Sequence, residues 1–291
     1  MISNRLSAAL SAVLLAGLGA ACRTTTTEAQ PVTSPATVVR QPFSAEVDGG
    51  LGRARRRADD LVERIEDLIV ALETGTQEGA ARAYCEARAP YEELQVLASA
   101  FPELDLAIDG RPADFANGEL DPAFRGFHRV EVLLFSRGRT AAAHRCATQL
   151  LEDARRLRAV LDERARFSAG VAFDGMERRC MDVATRIVSS EEEPWSNQSL
   201  LVIRHAWVGC YDQYRHFAGA VRERDALLAE RIDRAYRQAL EGLAGEFTSD
   251  GVEGSPYTLI STSRRRAIAD ASLKLRGYLV RARECLGVAP S

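Results

Sequence analysis

The chain has 291 residues, 46% hydrophobic and 27% charged, with a formal net charge of −3. That is enough apolar material for one large domain or two small ones with real cores. A balance so near neutrality, with only 7% aromatic residues, argues against a basic, base-stacking surface and so against a nucleic-acid partner.

The first segment reads as an address. Met1–Ser7 carries one basic residue, Arg5, and Ala8–Leu18 is an apolar run too short to span a bilayer. Leu18-Gly19-Ala20-Ala21-Cys22 resembles a lipoprotein cleavage box, with Cys22 as the lipidated first residue of the mature chain. Gly19 stands where a large apolar residue is usual, so ordinary cleavage after the small residues is the alternative. The expectation is a signal peptide over 1–21 and export to the periplasm or cell envelope, with membrane contact only through the lipid anchor. Residues 22–48, with Thr24–Thr27, Pro31, Pro35 and Pro42, read as a disordered tether. A helical domain is expected over 49–288.

Beyond the tether nearly every segment has helical period. Leu61, Ile65, Leu68 and Leu72 mark the first helix. Ala80–Phe101 is expected as a second, interrupted at Pro90. Pro102–Asp121, with Pro102, Gly110, Pro112 and Gly118, reads as a long irregular connection, a length usually kept for function. Asp121-Pro122 is expected to open a helix. Further helices are expected at Thr140–Phe167, Gly175–Ser189, Asn197–Ala220, Asp225–Phe247 and Ser263–Gly287. About eight helices without alternating strand patterns predict an all-α fold of two stacked helical, four-helix-like bundles. Cys85, Cys146, Cys180, Cys210 and Cys285 show no CxxC spacing. They read as structural, with material for two disulfides in an oxidising compartment.

Phe124, His128, Glu131 and Phe135 fall at i, i+4, i+7 and i+11, one face of a helix. His128 and Glu131 therefore lie on the apolar, inward stripe, and Arg125 and Arg129 point elsewhere. A buried carboxylate and imidazole must pair with each other, pair with an arginine, or ligate a metal. By spacing alone, the satisfied core pair is the commoner outcome.

The surroundings add to this. Arg88-Ala89-Pro90-Tyr91-Glu92, Phe101-Pro102-Glu103-Leu104-Asp105, Ile108-Asp109-Gly110-Arg111 with Asp114, and Gly126-Phe127-His128-Arg129-Val130-Glu131 resemble the imelysin and EfeO family. Glu191-Glu192-Glu193-Pro194-Trp195-Ser196 is similar to a later segment of that family. The resemblance implies two helical bundles and an extracytoplasmic metal-binding protein of an iron-uptake type system. Its ligand would be a divalent or trivalent metal ion, iron first, with copper and zinc as alternatives. A transport permease or a peroxidase would be its protein partner. Carried over residue by residue, it implies a metal site of Glu92, Asp109, His128, Glu131 and Glu192, or Glu191 in the last place. Arg111 would brace a carboxylate. Carboxylates with one imidazole suit a hard ion.

Three positions depart from the family pattern. Gln95 replaces a second glutamate, and Val202 and Ala206 stand where an aspartate and an asparagine are usual. These changes favour the alternative of a helical binding module with a degenerate site. A metallopeptidase is the weaker alternative. Zinc peptidases need two histidines on one helix with a glutamate base, whereas this chain has one HxxE and its next histidine is His144. No GxSxG element or recognisable catalytic cysteine occurs, so no catalytic residues are expected. His205, Cys210 and His216 do not share a helix face, and no second site is expected there.

Overall fold

The computed structural model describes residues 42–189 and 192–291. The signal segment, Cys22 and Glu191 lie outside the described residues. Nine α-helices are described: α1 Ser44–Thr74, α2 Gln77–Leu94, α3 Pro102–Asp109, α4 Phe127–Glu131, α5 Thr140–Val160, α6 Ala169–Thr185, α7 Ser199–Arg224, α8 Ala226–Ala244 and α9 Thr262–Leu286. No strand is described, only an isolated bridge between Phe247 and Gly254. The all-α expectation holds. No described helix is long and apolar enough to cross a membrane.

The helices form for local reasons. Thr76, Ser168, Asp225 and Ser261 each accept a hydrogen bond from an amide of the first turn, at α2, α6, α8 and α9 respectively. Gly287, at φ 68°, ends α9. In α1 the residues Leu51, Ala54, Ala58, Leu61, Ile65, Leu68 and Leu72 are buried along one stripe. That stripe packs against α2 and α5, and α4 packs on α5, closing the first bundle. In the second, α6 packs on α7 and α9, and α8 packs between α7 and α9.

The bundles meet where α2 lies on α7 and the turn after α2 lies on α6. Gly209 of α7 comes against the backbone of Glu93, and Gly175 of α6 against that of Val96, so closely that a Cβ on either would collide. Main chain thus touches main chain beside the acidic end of α2.

Several boundaries differ from expectation. α1 starts at Ser44, inside the stretch read as tether. α2 runs through Pro90 as one helix. The connection after Phe101 contains α3, which Pro102 opens at its first position with Glu103 and Asp105 in its first turn. The segment after Pro122 becomes helical only at Phe127, because Gly126 takes φ 84°. Its missing side chain also lets the chain lie on the carbonyls of Ala107 and Ile108. Val132–Ser136 then continues as a π-turn, a wide form that recurs at functional sites. The five described cysteines are all free thiols, and none is bridged to another.

Candidate metal centre

Two turns of α2 carry Arg88 and Glu92, the end of α3 carries Asp109, and α4 carries His128 and Glu131. The segment leading into α7 brings Glu192 and Glu193 against them, and α6 adds Arg179. The side chains of Arg88, Glu92, Glu131, Glu192 and Glu193 are fully buried. Asp109 at 6% and Arg111 at 17% have the only appreciable solvent contact in the set. All five residues implied for a metal site fall in this one cluster.

Arg88 is its hub. Its Nη2 lies 2.8 Å from Glu92 Oε1 and its Nε 2.9 Å from Glu193 Oε1, while its Nη1 pairs with Asp109. The guanidinium also lies 5.0 Å from the centre of the Phe127 ring. Arg179 Nη2 holds the other oxygen of Glu92 at 2.5 Å. Arg111 takes both oxygens of Glu192, the brace anticipated for it. Gln95 donates its amide to Asp109 Oδ2, so the residue that replaces a carboxylate quiets an acceptor instead.

Glu131 is saturated. Its Oε1 accepts from the backbone amides of Trp195 and Ser196, at 3.0 and 2.8 Å. Its Oε2 lies 3.1 Å from His128 Nδ1. The glutamate therefore docks the segment bearing Glu192 and Glu193 and orients the imidazole. His128 Nε2 is turned towards Asp109 Oδ1, 3.3 Å away, an oxygen that Arg88 also holds.

Charge decides how the acids stand. Burial pushes Glu92 up to about 7 and Glu193 up to about 8, although Arg88 pulls both the other way. Burial also raises Asp109, but Arg88 and His128 outweigh it and hold the carboxyl below its ordinary range. For His128 burial disfavours the imidazolium, yet Asp109 and Glu131 prevail and lift it to about 10. Five carboxyl groups face three guanidiniums and one imidazole, one acid more than bases, and the raised Glu92 and Glu193 take up that excess by holding a proton.

Two triads could hold an ion: Asp109, His128 and Glu192, and His128, Glu131 and Glu193, each with ligand atoms within 4.8 Å of one another. Glu92, held by Arg88 and Arg179, joins neither. Glu193, which sequence reasoning missed, joins one. Val202 and Ala206 are buried in the core, and His205 faces the other side of α2, 2.9 Å from Glu93. The triads offer carboxylate oxygen and imidazole nitrogen, a set that fits a hard or borderline cation.

The profile of the imelysin family (peptidase M75) matches residues 50–280. The iron uptake system component EfeO of Yersinia pseudotuberculosis serotype I is 27% identical over 228 residues, 78% of this chain. The component of the same name from Escherichia coli O1:K1 is 28% identical over the same length. The chain spans about 60% of the length of these relatives.

Proposed function

The chain belongs to the imelysin family, and we propose that it is an extracytoplasmic metal-binding protein of an iron-uptake type system, anchored through Cys22. Iron is the cargo, with copper and zinc as alternatives. His128 Nε2, Asp109 and Glu192 are the first ligands, Glu193 is an added oxygen donor, and Glu131 positions His128. A permease or a peroxidase would receive or process the metal.

The observation that carries the reading is the buried Asp109–His128–Glu192 triad, whose ligand atoms converge within 4.8 Å of one another inside a carboxylate-rich pocket. Metal uptake there displaces the proton of His128 and loosens the hold of Arg88 and Arg111 on Asp109 and Glu192. Calorimetric titration of the full chain with iron, copper and zinc tests it. Binding should vanish in His128→Ala/Asp109→Ala and persist in His205→Ala. A folded wild type that binds none of the three would sink the proposal.

A second reading is favoured by Arg88, which already contacts four of the acids, Glu92, Asp109, Glu192 and Glu193. In it the cluster is a structural ion network and the chain a helical binding module. No metal binding, together with unfolding on loss of Arg88, is the outcome it expects.

A further inference from the structure

A cleft of about 350 Å³ opens between α3, the turn after it and the end of α6. Asp109 and Arg111, the two cluster members that reach solvent, both line it, so it is the way in from outside. Its walls are crowded with guanidiniums. Arg179 and Arg111 are committed inward, to Glu92 and Glu192. Arg178 and Arg186 are not. Arg178 is exposed and gives one long hydrogen bond, 3.4 Å, to the carbonyl of Gln95. Arg186 comes no nearer to a carboxylate than 3.8 Å at Asp182 and 3.9 Å at Glu192. The Nε atoms of Arg179 and Arg111 are buried and donate to nothing among the described residues.

The acids of the wall are partly spoken for, although Asp182 also lines it with only the loose contact to Arg186 at 3.8 Å. Asp105 accepts from the hydroxyl of Tyr91 at 2.6 Å, and Asp114 from the amide of Arg111 at 2.8 Å. Idle donors and loosely paired guanidiniums thus stand in front of the acidic cluster. A cation wrapped in carboxylates or phosphates presents acceptors that the planar forks of arginine match in pairs.

We infer that this cleft binds a small multivalent oxyanion, of carboxylate or phosphate type, which chelates the metal and presents it to Asp109, His128 and Glu192. Arg178 and Arg186 grip the oxyanion from the rim. The inference rests on the metal-binding reading for the cation and on the cleft alone for the anion.

The test is calorimetry on the full chain with four titrants: anaerobic iron(II) chloride, citrate alone, pyrophosphate alone, and iron(III) citrate. Arg178→Ala/Arg186→Ala is compared with wild type. Affinity for iron(III) citrate and for the preferred free anion should fall by about tenfold or more in the variant, while iron(II) chloride binds both proteins alike. The stronger of citrate and pyrophosphate tells which chemistry is accepted. Equal binding of every titrant by both proteins, or no wild-type binding of either anion or of iron(III) citrate, overturns the oxyanion site. Anion binding without iron(II) binding leaves the cleft standing and removes the metal reading instead. Loss of iron(II) binding in the variant would mean that the two arginines act on the metal cluster itself, which also overturns the assignment. Arg178→Ala alone, at an exposed position, repeats the comparison should the double variant fail to fold.

Discussion

Glu92 and Glu93 are neighbours in α2, about 100° apart around the helix, and they enter two different buried networks. Glu93 meets Arg57 Nε at 2.5 Å and His205 Nδ1 at 2.9 Å, so one carboxylate has two nitrogen partners. On the Glu92 side five carboxylates share three arginines and His128. Each side has a histidine within hydrogen-bond reach of a glutamate, and only one side has acid to spare. A His–Glu contact is therefore not itself a metal site. What marks the first side is the acid left over after the bases are counted, and the His128 Nε2 turned to Asp109 beside it.

Replacing the central arginine on each side would break this comparison most sharply. Arg88→Met leaves Glu92, Asp109 and Glu193 each short of a cationic partner, two of them fully buried. Losing one partner of a buried pair costs about 3–5 kcal/mol, and urea midpoints should fall accordingly or the protein should not fold. Arg57 is 27% exposed at its side chain, and Glu93 keeps His205, so Arg57→Met should cost only about 0–1 kcal/mol. Equal losses would mean that the two sides are held by the same forces.

Much of the Glu92 side was legible in the sequence. The i, i+3 placement of His128 and Glu131 on an apolar stripe put both inside, and Arg111 could be assigned to brace a carboxylate. Arg88 stood in a quoted motif without a role, and Arg179 went unnoticed. Arginine is so common in this chain that one more on a helix face carries no signal, and the partner of Arg179 lies 87 residues away. Glu192 was preferred with Glu191 as its alternative and Glu193 was passed over, because none of the three lies in a periodic element. α3 could have been found: Pro102 and the acids after it form a helix start, hidden by the glycine and prolines that follow. The true start of α4 was not readable, since it depends on Gly126 lying against the end of α3.

Gln95→Glu sharpens the comparison by adding acid to the side that already has a surplus. The amide of Gln95 now donates to Asp109; a carboxylate there would repel it and leave Asp109 Oδ2 without a donor. The metal-free protein should lose about 1–3 kcal/mol, the usual penalty for a buried acceptor left unsatisfied. Metal should restore that loss and bind more tightly than to wild type. A variant that is destabilised and gains nothing from metal would place Gln95 in a structural role only.

The smallest effect is a slope. With His128 held up to about 10 from 6.5, the folded chain keeps a proton that the unfolded chain has released. Its contribution to stability is complete below pH 6.5 and is lost as pH rises towards 10. Glu193, raised by burial to about 8, acts in the same direction from pH 4.5 upward. Metal-free stability should therefore fall between pH 6.5 and 10, by at most about 1.4 kcal/mol per pH unit for each proton held. His128→Gln should flatten the part of the curve above pH 8, where Glu193 no longer contributes. Metal affinity should run the other way and rise with pH, because the ion must displace the proton of His128. Denaturation midpoints and calorimetry in buffers of different ionisation enthalpy measure both trends. If stability and metal affinity rose together, the proton would lie elsewhere and His128 would be a neutral ligand from the outset.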